Sequence, residues 1–376
     1  MRDPEETRRR RIPVVVLGAG GVGSALLRQI VDGRERTAER AGCRFDVVAV
    51  ADRASAWVEP AGLADEALLD AVAAKARREP VDPVRRGRTP GPPSGPSELV
   101  ALLERVAGLV APSGTPGILV DVTAAEGLEP LLERALDLGW SVALANKKPL
   151  AGPWARARRF FANPRVRHES TVGGGQPVIA TLRYLVDTGD PIRCVEGQLS
   201  GTLGFLCARL EAERPFSEAL AEAVARGYTE PDPREDLAGR DVVRKATILA
   251  RLAGWPLEAA EVAVEALFPP ALAGVAVPEF LAASRELDAP MAERFAAARA
   301  AGTRLRYLAR VEAGRAAVGL TAIPAASPFA NLKYVSFRTA RYDDEPLLIG
   351  GKGAGVEMTA AGVVGDLIGL AREIHR

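Results

Sequence analysis

Short apolar runs alternate with segments of helical spacing through the first 150 positions. Val14-Val15-Val16-Leu17 is apolar and largely β-branched, as a strand buried on both faces must be. Ser24–Val31, a few residues on, carries a helical pattern. Further strand runs fall at 46–51, 118–122 and 141–145, with helical patterns near 97–109 and 128–138 between them. Strands alternating with helices predict a mostly parallel sheet covered on both faces, an α/β architecture. After Pro149 the pattern changes. Helices near 176–187, 205–225 and 241–253 mix with strands near 192–200, 304–312, 316–323 and 334–340, which predicts an α+β second domain. A last helix over about 358–374 comes after a Gly-rich turn and is expected to return to the first domain. The expected divisions are 1–150, 151–350 and 351–376. Residues 32–45 lengthen one connection, and the Pro-, Gly- and Arg-rich stretch 79–97 reads as a mobile excursion.

Composition narrows the chemistry. A chain of 376 residues has room for two or three domains. Its 49 Lys+Arg against 48 Asp+Glu give no global field for nucleic acid or an acidic membrane surface. No run approaches the roughly 18 apolar residues that cross a bilayer. The N-terminus is charged, and Pro13 and Gly18 interrupt the apolar residues after it, so no signal peptide is expected and a cytoplasmic setting is. Arg8–Arg11 reads as a solvated tail before the first strand. Cys43, Cys194 and Cys207 are scattered, so neither a disulfide framework nor a Cys-based zinc site is expected. With only His168 and His375 as imidazoles, a multi-His metal centre is excluded and proton chemistry falls to Lys, Asp, Glu or Tyr.

Four segments carry candidate chemistry. Gly18-Ala19-Gly20-Gly21-Val22-Gly23 is a GxGxxG loop between a strand and a helix. Gly18 permits the tight turn, Gly20 lets backbone approach a diphosphate and Gly23 lets helix and strand pack closely, with the anion at the helix N-terminus. Asp52 ends the second strand and would accept from the ribose hydroxyls of NAD. Its neighbour Arg53 would instead pair with the 2′-phosphate of NADP; the balance leans to NADP. Asp121-Val122-Thr123 and Asn146-Lys147-Lys148-Pro149 end the third and fourth strands, where open α/β sheets bind ligands, though a lysine pair there also describes a solvated loop. The stretch GYTEPDPREDLAGRDVVRK (227–245) concentrates carboxylates, stiffens them with prolines and sets Asp241 and Lys245 four apart on one helix face. That spacing also describes an exposed ion pair. The carboxylate density suits the ammonium of a small amino acid, and a desolvated lysine can trade a proton with its oxygen. Glu169-Ser170-Thr171-Val172-Gly173-Gly174-Gly175-Gln176 places three glycines before a helix, which suits backbone approach to a ligand or carbonyls aimed at a monovalent cation.

Together these segments resemble the homoserine dehydrogenases, over nearly the whole chain. The 227–245 stretch is similar to that family's signature. GAGGVGSALL, ANKKP, ESTVGGGQP, SGTLGFL and GKGAGVEMTAAGVVGDLI support it. The resemblance implies a nucleotide-binding Rossmann domain, an α+β catalytic and dimerisation domain, and a homodimer. The implied reaction interconverts L-homoserine and L-aspartate 4-semialdehyde with NAD(P)(H), toward threonine, methionine and isoleucine. On the matching positions, Lys245 is implied as general acid/base and Lys147 as a second lysine at substrate and cofactor. Glu230, Asp236 and Asp241 are implied at the substrate, and Thr123 and Gly355 at the cofactor. Glu169 with backbone of Val172, Gly174 and Gln176 is the implied sodium site. The single-function type is expected, with neither a fused aspartate kinase before residue 12 nor a regulatory domain after 376. An aspartate-semialdehyde dehydrogenase would need an activated nucleophilic Cys, which none of the three cysteines offers. A non-catalytic dinucleotide sensor would keep GxGxxG without needing Lys245 in register with Glu230 and Asp241.

Overall fold

The chain is seen in a computed structural model that describes residues 10–82 and 95–374. Arg8 and Arg9 of the basic run, 83–94 of the Pro-rich stretch and His375 lie outside the described residues. Contacts divide the chain into two units, Met1–Leu150 with Ala155–Pro177 and Ala354–Arg376, and Ala151–Trp154 with Val178–Gly353.

The first unit is built on β1 (Arg10–Leu17), whose last six residues are buried. A strand with no solvent face needs neighbours on both edges and cover on both sides. α1 (Gly21–Asp32) and α2 (Arg34–Ala41) lead to β2 (Cys43–Ala51), which is parallel to β1; the lengthened connection is thus helical rather than loose. β3 (Ala56–Val58) pairs antiparallel on the far edge of β2 and precedes α3 (Asp65–Ala76). Next come α4 (Pro96–Val110), β4 (Ile118–Asp121), α5 (Glu129–Asp137) and β5 (Ser141–Leu144), then α6 (Lys148–Ala151), α7 (Trp154–Phe161) and β6 (Val166–Arg167). The sheet order is β3-β2-β1-β4-β5-β6, all parallel but β3. The order reverses between β1 and β4, so the connections after those strands diverge and leave a crevice at their carboxyl ends.

The C-terminal helix (Val356–Glu373) belongs to this unit. Ala360, Val363, Leu367 and Leu370 are buried in one core with Val14, Val16, Leu26 and Val120. Residues 155–177, expected in the second domain, also pack here, because β6 adds to the edge of β5 and Ser170 bonds the C-terminal helix at Thr359 O. At the start of the Pro-rich stretch, Val81 is fully buried in the same core and its N–H donates to Ser55 Oγ. Residues 79–82 are therefore anchored, not a mobile excursion. Arg10 and Arg11, expected in a solvated tail, already lie in β1, where Arg11 pairs with Asp46.

The second unit opens with α8 (Val178–Asp187) and β7 (Ile192–Gly197). The expected helix over 205–225 is two, α9 (Gly201–Glu211) and α10 (Phe216–Ala225). Glu213 adopts φ 59° and Pro215 lacks an N–H, and the pair ends one helix and starts the next. The chain continues through α11 (Arg234–Leu237), α12 (Arg240–Leu252), β8 (Ala263–Val264), α13 (Val277–Ala283) and α14 (Asp288–Ala300). β9 (Thr303–Glu312) and β10 (Arg315–Pro324) form a hairpin, and β11 (Tyr334–Thr339) and β12 (Leu347–Gly350) complete a six-stranded sheet ordered β12-β11-β7-β9-β10-β8. Its pairs are antiparallel except β10 with β8. α9, α12 and α14 pack against β9, which buries Leu305 to Ala309.

Candidate functional site

The first unit holds a cleft of about 950 Å³ at the carboxyl ends of β1, β2 and β4, lined by Gly18, Gly20, Asp52, Arg53, Lys75 and Thr123 among others. The glycine loop forms its floor. Gly18 sits at φ 98° and its N–H donates to Ala51 O (2.8 Å), fastening the turn to β2. Gly20 caps α1 without any side-chain hydrogen bond, so the first N–H groups of that helix are not taken by a capping side chain. A Cβ at Gly20 would meet nothing within 4 Å, whereas one at Gly23 would lie 1.9 Å from Gly18 O. The first glycine leaves room for a ligand and the second leaves room for the strand. Gly21 and Val22 open α1; a Cβ at Gly21 would lie 3.2 Å from Val356, beside Gly355, which caps the C-terminal helix at φ 121°.

Asp52 at the end of β2 is already engaged. Its Oδ1 accepts from the N–H groups of Ala54 (2.8 Å) and Ser55 (2.9 Å), and its Oδ2 pairs with Lys75 Nζ at 2.6 Å. Burial raises its pKa, but the Lys75 and backbone hydrogen bonds outweigh that and hold the carboxyl below its ordinary value. Sequence reasoning missed Lys75. It lies 23 positions beyond Asp52 on α3, a helix with no strong apolar stripe to announce it, and only folding brings it to the cleft.

At the end of β4, Thr123 N–H and hydroxyl both donate to Asp121 Oδ1. Asn146 N–H and Ala145 N–H both donate to Asp121 O, which joins the ends of β4 and β5 ahead of Lys147. Lys147 is half-buried, and Lys148 pairs with Glu126. In the Glu169 segment, Glu169 N–H donates to Asp366 Oδ2 (2.9 Å) on the C-terminal helix. Gly173 and Gly174 adopt φ 80° and 62°, and Gln176 N–H closes a turn onto Gly173 O. A Cβ at Gly362 would lie 2.7 Å from Gly174 O, so the turn and the helix touch through glycine. Val172 is fully buried. Among the described residues, no group of three or more His, Cys, Asp or Glu side chains converges on a metal position.

In the second unit the 227–245 stretch folds on itself. α12 begins after Gly239, at φ 68°, and presents Asp241 and Lys245 on one face with Nζ–Oδ2 at 2.7 Å. Lys245 Nζ also donates to Leu199 O (2.5 Å), and its side chain is 16% exposed against 46% for Asp241. The ion pair is therefore not a solvated surface pair on the lysine side. Asp236 Oδ2 accepts from Glu230 N–H (2.8 Å). Burial pushes the Asp236 carboxyl up, opposed by the hydrogen bonds from Glu230 and Thr202 and assisted by the negative charges of Glu230 and Asp241. Asp236 thus lies near both Glu230 and Asp241, and Lys245 is held at Asp241. Arg234 fastens the loop by binding both Asp232 oxygens and the carbonyls of Leu272, Ala273 and Val275. Thr202, in the first turn of α9, is legible in sequence only as part of the SGTLGFL turn, and Leu199, just before that turn, carries no sequence signal because it acts through its backbone carbonyl.

The same segments are matched in known proteins. The NAD-binding-domain model of the homoserine dehydrogenases matches residues 18–169, and the homoserine dehydrogenase model matches 177–368. The homoserine dehydrogenase of Schizosaccharomyces pombe is 32% identical, over 98% of this chain and 97% of its own. The chloroplastic bifunctional aspartokinase/homoserine dehydrogenase 1 of Zea mays is 40% identical over 68% of this chain. The chain spans only 29% of that relative's length. Among solved structures, a protein of unknown function from Candida auris superposes with TM-score 0.82 and 32% identity, covering 97% of this chain and 99% of that one. A hyperthermophilic archaeal homoserine dehydrogenase in complex with NADPH shares the fold at TM-score 0.69 and 23% identity, over 95% of this chain and 97% of its own.

Proposed function

Because the chain belongs to the homoserine dehydrogenase family, we propose that it interconverts L-homoserine and L-aspartate 4-semialdehyde with a nicotinamide dinucleotide, in the route to threonine, methionine and isoleucine. The observation that carries this reading is Lys245, held by Asp241 and Leu199 O, with Asp236 near Asp241. A reaction at an alcohol carbon needs a proton donor and acceptor at the oxygen. Glu230, Asp236 and Asp241 complement the substrate's α-ammonium. In the reductive direction the Lys245 ammonium donates to the carbonyl oxygen, and in the oxidative direction its amine takes the hydroxyl proton.

The first unit holds the dinucleotide. Gly18, Gly20, Gly21, Val22 and Gly23 with the start of α1 bind the diphosphate, and Thr123, Lys147 and Gly355 complete the cofactor set. The nicotinamide supplies or accepts the hydride. The cleft fits this group: it is open above Gly20 and carries no side chain there. We read the end of β2 as an NADP site. Asp52 is neutralised by Lys75, so Asp52, Arg53 and Lys75 together present one net positive charge to a 2′-phosphate. Lys75→Ala frees the Asp52 carboxylate and is expected to lower the NADP⁺-over-NAD⁺ ratio of kcat/KM by about tenfold or more, the worth of one charged hydrogen bond. An unchanged ratio sinks the assignment.

Glu169 with the carbonyls of Val172, Gly174 and Gln176 suits a monovalent cation such as sodium, since the set offers one charge and otherwise dipoles. Left-handed glycines at 173 and 174 support the tight turn this requires. A homodimer formed through the second unit, in the cytoplasm, completes the reading. Among the described residues no helix is long and apolar enough to cross a membrane. The test is direct: purified protein is given L-homoserine with NADP⁺ or NAD⁺, in the presence of sodium or potassium at mildly alkaline pH. Reduced nicotinamide is expected to accumulate with both, faster with NADP⁺. No turnover with either rejects the proposal.

A further inference from the structure

Asp121 is a fully buried carboxylate at the end of β4, and its hydrogen bonds run to two different segments. Oδ1 accepts from Thr123 N–H (2.9 Å) and Thr123 Oγ1 (2.7 Å); Oδ2 accepts from Asn146 Nδ2 (2.9 Å). These donors are all neutral. Burying a charge against neutral donors costs more than a matched apolar pair would, so stability alone is a poor reason for it. Burial pushes its carboxyl upward while the three donors oppose that.

Each arm ends on a residue assigned to ligands. The Thr123 arm fixes a side chain whose Cγ2 would lie 3.1 Å from a Cβ at Gly18, in the floor of the cleft. In the Asn146 arm, the second amide proton goes to Ala125 O (2.9 Å) and Oδ1 accepts from Lys148 N–H (3.1 Å). Lys147 O accepts from Leu150 N–H (3.1 Å). The backbone of Lys147 is therefore held on both sides, through Asn146 before it and the α6 turn after it.

We propose that Asp121 is a positioning residue: one oxygen sets Thr123 against the glycine loop and the other, through Asn146, sets the turn that carries Lys147. This rests on the reading of Thr123 and Lys147 as cofactor and substrate residues. Groups displaced by an ångström can cost about a hundredfold in rate, so such a device acts without touching the reacting atoms.

Asp121→Asn keeps Oδ1 for Thr123 but turns an amide N–H₂ toward the Asn146 amide. It is expected to keep NADPH binding within threefold while kcat for homoserine falls at least tenfold. Asp121→Ala removes both arms and is expected to raise the NADPH dissociation constant at least tenfold, read by nucleotide fluorescence. Should Asp121→Ala fail to fold, Thr123→Val, which keeps the shape and loses the hydroxyl, takes its place in the titration with the same expectation. Parent-like kcat in Asp121→Asn, or parent-like NADPH binding without the Thr123 arm, overturns the proposal. If the parent itself does not turn over homoserine, the functional reading falls, while the NADPH titration still decides on Asp121.

Discussion

Lys245→Ala is expected to lower homoserine turnover by about 10²–10⁴-fold, the span that a positioned proton donor contributes. Nucleotide binding should stay within a few-fold of the parent, because the glycine loop, Asp52, Lys75 and Thr123 that line the cleft are left unaltered. The fold should survive. Asp241 is 46% exposed and water replaces its lost partner, and Leu199 O loses one donor rather than a place in the sheet. Steady-state rates, NADPH fluorescence titration and thermal melting separate these effects. If the proton transfer is what has been lost, small primary amines added to the variant should restore part of the rate in proportion to their concentration. Near-parent activity in Lys245→Ala would remove the lysine from the reaction and leave a dinucleotide-binding protein without its assigned acid.

Gly23→Ala and Gly20→Ala are expected to fail in different ways. At Gly23 the added methyl would sit 1.9 Å from Gly18 O and 2.8 Å from Gly18 C, both backbone atoms that cannot rotate away. α1 must lift off β1, and both belong to the core that includes Val14, Val16 and Leu26. Overpacking of this kind costs about 1–3 kcal/mol or more, so the melting temperature should fall by several degrees and nucleotide binding should be lost with it. At Gly20, φ is −70° and a Cβ meets nothing within 4 Å. That variant should melt like the parent and lose affinity only because the methyl stands where the diphosphate is proposed to approach. A Gly20→Ala protein that binds NADPH normally would move the diphosphate off this loop.

Local signals were legible wherever neighbours in sequence are neighbours in space. The strand–glycine–helix start, the central buried strands and the Asp241–Lys245 pair at helical spacing all depend on a few consecutive residues. The break in the 205–225 pattern at Glu213 and Pro215 was also local, but it was hidden because the apolar spacing continues across it. The grouping of 155–177 with the first unit was not local: β6 is two residues long and is defined only by the edge of β5 that receives it.

Residue order alone dictates an inventory: a glycine loop that must come after a strand, a His-poor chain whose proton chemistry falls to Lys, Asp, Glu or Tyr, and carboxylates set by proline spacing a few residues before Lys245. Periodicity and local backbone preference act over a turn or two of chain, and these features need no more. Which distant charges meet is settled only in the folded chain. Lys75 reaches Asp52 because α3 packs against α1 on the sheet, and Asn146 reaches Asp121 because β5 lies parallel to β4, pairings 23 and 25 residues long. Sheet order joins such distant positions, and once joined in a cleft of low dielectric their charges and hydrogen bonds set what the site prefers to bind.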